Sequence, residues 1–411
     1  MSKDREYVFL SLMIPAELAN DVKQNSSNNM ADAANALEHN LMQGLAENLS
    51  VPPKIINVLP IGSYPQYYSE LFVKKSKFKL CNRDNHENIG FCNIKFVRNY
   101  FIEKAVYDSL EAYCKKKSGN IVICIYSASL CFLSAVEKLK NKFPNIIVCD
   151  IIADLPGMTN LSSNKSVLLQ WYIDYQAKNA LNKLNCVDCF VLLTKQMASY
   201  LHINKPYCVV EGIASETQEL RLEEHNEKII LYTGTLHKKF GVMNLVSAFC
   251  KINNNEYRLV ICGIGDSENE IKKFAESDHR ISFLGQLPRD EVLRLQSKAT
   301  VLVNPRQNNE EFTKYSFPSK TMEYLSSGIP VIAYKLDGIP AEYDQYLQYV
   351  EDDTIDGLKN KLVELCEMPY KQRQKIGGAG RNFVLKGKNS RVQTRKIIEL
   401  INKVCEYKYK R

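Results

Sequence analysis

No basic leader followed by an apolar core opens this chain; Met1-Ser2-Lys3-Asp4-Arg5-Glu6 runs straight into a strand-like Tyr7-Val8-Phe9-Leu10. That predicts a cytoplasmic protein. The longest predominantly apolar run, Ile121 to Val136, includes Tyr126, Ser127, Ser129 and Ser134, so it reads as a buried strand, a turn and a helix ending near Lys142 rather than a membrane span. The six histidines are isolated from one another, and no His, Ser and Asp set has nucleophile spacing. Hydrolase chemistry therefore finds no support. No Asp-x-Asp occurs, and the acidic run Glu351-Asp352-Asp353 is not at a strand end suited to Mg2+ beside phosphates. The single Cys-x-x-Cys, Cys186 to Cys189, lacks a second pair or a nearby His-x-x-x-His and supplies only half of a zinc shell.

What is present is ordinary for a globular protein, with 45% hydrophobic and 24% charged residues. The 411 residues exceed one ordinary core and suit two domains. Thirteen cysteines, an odd count, sit in apolar runs such as Ile123-Cys124-Ile125, as thiols acting as small hydrophobes. The net charge of +8 gathers at Lys74-Lys75-Ser76-Lys77-Phe78-Lys79, at Lys115-Lys116-Lys117 and at Lys408-Tyr409-Lys410-Arg411. Such runs are solvated faces by default; the functional alternative is attraction to anionic lipid headgroups, at about 1 kcal/mol per basic residue. Nucleic-acid binding is disfavoured, because no stacking module, helix-turn-helix or zinc finger accompanies them.

Short β-rich runs alternate with longer amphipathic stretches, the pattern of parallel strands joined by crossover helices. In the first half strands are expected at Val8–Ile14, Ile55–Pro60, Ile121–Tyr126, Asn145–Ile151, Cys189–Thr194 and Cys208–Val210, with helices at Ala31–Leu49 and Phe101–Lys117. In the second half strands are expected at Ile229–Thr233, Arg258–Cys262, Ile281–Leu284, Val301–Asn304, Val331–Tyr334 and Gln348–Glu351. The count predicts two doubly wound α/β domains, residues 1–212 and 229–390. A polar linker, 213–228, joins them, and ligands should bind in a central cleft facing the strand C-termini.

The most informative stretch is Tyr315-Ser316-Phe317-Pro318-Ser319-Lys320-Thr321-Met322-Glu323, which follows the strand Val301–Asn304. A turn there should open a helix whose free amides face beyond the sheet edge, where an anion would sit. Pro318 suits the first helical turn, and Ser316 or Ser319 can cap the donors. Glu323, about one turn beyond Ser319, can accept hydrogen bonds from vicinal hydroxyls. Together these features point to a nucleotide-sugar site.

Phe317 to Ile332, with the break Ser326-Ser327-Gly328 and the strand Pro330-Val331-Ile332-Ala333, resembles the donor segment of glycosyltransferase family 4, retaining sugar transferases with the GT-B fold. The likeness is good over roughly residues 228 to 370. It is closest to a subgroup with Ser-Phe-Pro-Ser-Lys met in bacterial surface-polysaccharide assembly. The resemblance implies two Rossmann-like domains, a C-terminal helix (391–411) packing back on the first domain, and transfer that needs no metal or other cofactor. It also implies a ribose-holding role for Glu323. The family's first glutamate is replaced here by Tyr315; Glu310 and Glu311 lie a few residues earlier without the right spacing.

Other residues can be placed around that segment. Gly234-Thr235-Leu236-His237-Lys238-Lys239-Phe240-Gly241 ends the first strand of the second domain, where glycine lets the backbone approach a pyrophosphate. The family places a basic residue where Thr235 stands and a lysine where Phe240 stands, so Lys238 or Lys239 is expected to compensate. Gly263 and Gly265, after the second strand, resemble the family's glycine pair; a tight strand-to-helix turn is the plainer reading. Arg306 after Asn304-Pro305, and Lys320, can bind phosphate oxygens and offset the diphosphate charge; each is otherwise an ordinary surface cation. In the first domain Asp154, in Ala153-Asp154-Leu155-Pro156-Gly157, is the candidate acceptor contact, with a turn aspartate as its rival. The loop Asn28-Asn29-Met30-Ala31 is the other acceptor-side element.

The expectation is a nucleotide-sugar-dependent, retaining hexosyltransferase acting on a lipid-linked glycan acceptor, cytoplasmic or peripheral at the inner face of the plasma membrane, with no nucleic-acid partner. The alternatives are a catalytically degenerate scaffold, kept open by Tyr315, and a sugar-nucleotide epimerase of the same fold.

Overall fold

Runs of β-branched residues punctuated by Gly and Pro set the strand positions, and the apolar stripes between them set the helices that cover the sheets. The computed structural model describes residues 5–27, 32–117, 119–157, 167–215 and 227–409. The chain divides into two compact units, the first being Met1–Ile213 with Ser390–Arg411 and the second Ala214–Asn389.

The strands of unit 1 are β1 (Glu6–Ser11), β2 (Lys54–Asn57), β3 (Phe72–Val73), β4 (Ser76–Leu80), β5 (Arg83–Asn88), β6 (Phe91–Cys92), β7 (Ile121–Tyr126), β8 (Ile146–Ile152), β9 (Cys189–Leu192) and β10 (Tyr207–Val209). Its helices are α1 (Ala19–Asn25), α2 (Asp32–Asn48), α3 (Arg98–Cys114), α4 (Leu130–Lys142), α5 (Val167–Lys183) and α6 (Lys195–Tyr200). Eight strands form one sheet in the order β10-β9-β8-β7-β1-β2-β5-β4, and all are parallel except β4. The order reverses at β1, which lies between β7 and β2.

Four short strands, β3 to β6, were not expected from the sequence. The lysines of 74–79 read as a solvated run, but in β4 Phe78 turns inward while Lys77 and Lys79 stay exposed. Alternation over five residues is a weak signal, and lysines on an edge strand also discourage pairing with another chain.

Unit 2 contains β11 (Lys228–Thr233), β12 (Tyr257–Cys262), β13 (Ile281–Phe283), β14 (Val301–Asn304), β15 (Val331–Ala333) and β16 (Leu347–Tyr349). Its helices are α7 (Val242–Cys250), α8 (Glu268–Ser277), α9 (Arg289–Lys298), α10 (Ser319–Ser327), α11 (Ile355–Glu367) and α12 (Tyr370–Gly387). The sheet is parallel throughout, in the order β13-β12-β11-β14-β15-β16. That is the doubly wound order in which β11 and β14 flank the topological switch point, where ligands bind beyond the strand C-termini.

The last helix, α13 (Ser390–Tyr409), belongs to unit 1. Its residues Ile397, Ile401 and Cys405 are buried in the unit 1 core, and Gln393 donates through Nε2 to the Gly212 carbonyl at 2.8 Å. Residues 216–226, most of the expected linker, and the loop 28–31 lie outside the described residues. No described helix is long and apolar enough to cross a membrane.

Candidate functional site at the switch point of unit 2

Two βα turns and one helix start meet at the C-terminal edge of the second sheet. The turn after β11 contains Gly234, and that after β12 contains Gly263 at φ +142°. A Cβ on Gly263 would come within 1.7 Å of the Gly234 carbonyl oxygen, so only glycine fits. Gly241, at φ +78°, lies under Pro305, whose carbonyl oxygen a Cβ would meet at 2.1 Å. The loops after β11, β12 and β14 are thereby packed backbone to backbone.

The glycine amides themselves are engaged within the protein. The Gly234 amide donates to the Cys262 carbonyl at 3.0 Å, and that of Gly263 to Gly285 at 2.8 Å. The Gly265 amide donates to Oε1 of Glu268 at 3.0 Å. Their role is close packing, which positions neighbouring side chains.

The start of α10 differs from expectation. Pro318, extended at φ −67° and ψ 105°, occupies the N-cap position, Ser319 is the first helical residue, and no side chain caps the helix. Proline has no hydroxyl with which to cap, and Ser316 keeps a buried Oγ with no hydrogen-bond partner among the described residues. The Thr321 amide closes a turn on the Pro318 carbonyl at 2.8 Å, and with no side chain capping the helix the amides of Ser319 and Lys320 are left for an external acceptor. Phe317, expected at the donor, instead buries its ring in the core, 5.2 Å from Tyr343 centroid to centroid. Aromatic burial pins the turn, so its contribution to a ligand site is indirect. Tyr315 ends the short 3-10 turn just before this segment and is half-buried.

Lys320 and Glu323, expected to serve different parts of a ligand, hold each other. The Lys320 ammonium lies 3.0 and 3.1 Å from the two Glu323 carboxylate oxygens. Gln296 of α9 also donates to Glu323 Oε1 through Nε2 at 2.7 Å. Lys320 Cε lies 3.9 Å from where a Gly234 Cβ would be, which brings its side chain to the switch point.

Tyr324, next to Glu323, is fully buried and locks this arrangement. Its hydroxyl donates to the Thr233 carbonyl at 2.9 Å and accepts from the Thr233 amide at 2.8 Å. The last residue of β11 is thus joined to α10. Nothing in the spacing signalled this, because a helical tyrosine reads simply as core.

Arg306 follows β14 and projects over two rings, 4.1 Å from the Phe240 centroid and 5.5 Å from that of Phe312. Its Nε is buried with no hydrogen-bond partner, and no carboxylate pairs with it among the described residues. Burial draws the guanidinium down to about 10. A desolvated cation held by aromatic faces and lacking a counter-ion is poised for an anion.

Lys238 does not point into this space, because its ammonium pairs with Glu270 of α8. Its backbone amide donates to Asp266 Oδ1 at 3.0 Å, and His237 Nδ1 lies 3.1 Å from Asp266 Oδ2. Lys239 is half-buried and has no ion pair among the described residues, whereas Thr235 is exposed. Arg306, Lys320 and Lys239 are thus cations at this sheet edge, whereas Lys238 is turned to α8.

Asp154 lies in unit 1, exposed, just beyond β8. Behind it, at the reversal point of that sheet, Glu38 is buried and accepts from Ser11 Oγ at 2.8 Å and from the Leu12 amide at 2.9 Å. Burial pushes Glu38 up to about 8. Burial, with the carboxyls of Glu38 and Asp154 nearby, also raises the Tyr126 hydroxyl well above its usual range.

Residues 215–383 match a family model described as glycosyl transferases group 1. No curated protein matches the chain. Among solved structures, a sucrose-phosphate synthase from Thermosynechococcus elongatus is similar at 14% identity and TM-score 0.64, covering 97% of this chain and 99% of its own. The lipopolysaccharide outer core galactosyltransferase WaaB in its apo form is similar at 14% identity and TM-score 0.62, covering 97% and 99%. The catalytic domain of starch synthase IV from Arabidopsis thaliana, bound to ADP and acarbose, is similar at 8% identity and TM-score 0.62, covering 98% and 99%. The protein is thus a GT-B chain of two Rossmann-like units that carries a glycosyltransferase group 1 domain over residues 215–383.

Proposed function

We propose that this protein transfers a hexose-type sugar from a nucleotide-sugar donor to a lipid-linked glycan, with retention of anomeric configuration, in surface-polysaccharide synthesis. The observation that carries this reading is the unpaired Arg306 guanidinium at the same sheet edge as Lys320 and the uncapped start of α10. The ADP of the starch synthase structure is a nucleotide diphosphate of the class such a site suits.

In this reading Arg306, Lys320 and the α10 amides stabilise charge on the diphosphate as the glycosidic bond breaks. Lys320 exchanges its Glu323 partner for phosphate oxygens when donor binds, which releases the carboxylate to accept the ribose hydroxyls. The acceptor hydroxyl attacks from the face the phosphate leaves, and that phosphate takes its proton. Asp154 contacts the acceptor, and no metal is required. The enzyme works as a peripheral protein at the inner face of the plasma membrane.

Thermal-shift titration of the full chain with UDP-, GDP-, ADP- and dTDP-sugars tests the donor site. Stabilisation by one of them, lost in Glu323→Ala, is expected. No stabilisation by any would favour a degenerate scaffold, the reading that Tyr315 keeps open.

A further inference from the structure

Unit 1 exposes an unusual concentration of aromatic surface from two short segments. Phe96, Tyr100 and Trp171 are 45%, 65% and 63% exposed, and Tyr175 is 51% exposed. They form one region, because Phe96 packs edge-on against Tyr172 at 4.9 Å and Asn99 donates through Nδ2 to Tyr172 and Gln176 at 3.2 and 3.0 Å. Trp171 stacks on Tyr175 at 5.7 Å. Phe96 also adopts φ +73°, a left-handed conformation that is costly for a phenylalanine and here holds its ring at the surface. Core packing does not account for any of this; a patch of this kind marks an interaction surface.

The topology says which end of the unit carries it. Helix α3 leads into β7 and α5 leads towards β9, so both helices run against the parallel strands and begin where those strands end. Their N-terminal halves, which bear the aromatic residues, therefore lie at the strand C-terminal edge, the edge that carries Asp154. Strand β4 is antiparallel to β5, so its start belongs to the same edge. There Lys74 and Lys75 are exposed beside Phe72, which is 64% exposed and pairs in register with Cys92 of β6. Lys95 stands 5.4 Å from the Phe96 ring.

Aromatic rings with polar tips beside lysines match the chemistry of a bilayer interface, with rings at headgroup depth and ammonium groups on anionic lipid. We propose that this rim docks unit 1 onto an anionic bilayer surface, edge first, so that Asp154 faces the headgroup layer from which a lipid-linked acceptor would project. The proposal names the membrane surface for the function proposed above. Its test uses vesicles containing neither donor nor acceptor, so failure here is separate from failure of sugar transfer.

Trp171 is the sole tryptophan of the chain and reports directly. With vesicles of phosphatidylcholine and phosphatidylglycerol at physiological salt, its emission should shift to the blue and the full chain should co-float. Pure phosphatidylcholine should bind far less. Replacing Phe96→Asn and Tyr100→Ser together should weaken binding roughly tenfold, since asparagine tolerates the left-handed backbone and two rings leave the interface. Lys74→Glu and Lys95→Glu should each cost at least about fivefold. The proposal is overturned if emission and flotation are unchanged by anionic vesicles, or if these variants bind like the wild type. A dimer by light scattering, with Trp171 emission that depends on protein concentration alone, would overturn it in favour of a second copy of the chain.

Discussion

The Arg306 guanidinium lies 4.1 Å from the centre of the Phe240 ring, although the two residues belong to loops after different strands, β14 and β11. Gly241 makes that approach feasible, since its missing Cβ admits the Pro305 carbonyl. The cation is thereby presented at the switch point on a rigid apolar support rather than on a mobile stem.

Arg306→Ala should therefore weaken nucleotide-sugar binding by about 10- to 150-fold, the range for losing a charge-assisted hydrogen bond. Folding stability should not fall with it, because an unpaired buried cation is removed. Phe240→Leu should give a smaller loss, about three- to thirtyfold, as the support alone is lost. Isothermal titration and thermal melting of the same samples separate the two effects.

Glu323→Ala should cost about 1.5–3 kcal/mol of donor binding if its carboxylate accepts ribose hydroxyls. The nucleoside diphosphate without sugar keeps the ribose and should lose affinity too, whereas inorganic pyrophosphate, which lacks ribose, should not, since Glu323→Ala only frees Lys320 for phosphate. Comparing the three ligands by calorimetry checks the assignment.

Tyr324→Phe removes one oxygen that satisfies both the amide and the carbonyl of Thr233. Two buried backbone groups lose their partner, so unfolding free energy should drop by about 1–3 kcal/mol. Donor binding should weaken as well, since α10 is no longer joined to the end of β11. Urea denaturation and donor titration measure the two losses.

Asp150, on β8, is fully buried, and both carboxylate oxygens lack a hydrogen-bond partner among the described residues. Burial raises it from its ordinary 3.8 to about 8. Between those values the folded protein holds one more proton at this site than the unfolded chain does, so the site's contribution to stability falls as pH rises through that window. Asp150→Asn should flatten the decline between pH 5 and pH 8 in urea midpoints and be more stable than wild type at pH 8. Glu38, raised in the same direction, leaves a residual slope.

Much of the fold was legible because parallel sheets write their strands as continuous apolar runs. Ile121–Tyr126 and Val301–Asn304 were expected at the bounds they occupy. Strands β3 to β6 were missed, because two-residue pairings and a lysine-bearing edge strand leave almost no periodic signal. Around α10 and the loop after β11 the side-chain contacts were not legible in the sequence. Lys238 turned to Glu270, Phe317 entered the core, and Lys320 closed on Glu323.

By itself the sequence determined the two α/β units, the helix start after Asn304 and the clustering of cations and small residues near it, since these depend on local propensity and periodicity. Only tertiary structure decided which cation lacks a partner, which glycine is required by a neighbouring carbonyl, and that Tyr324 joins α10 to β11. Those outcomes depend on residues from separate strands meeting at one sheet edge, and strand order, which no local pattern encodes, determines which residues meet.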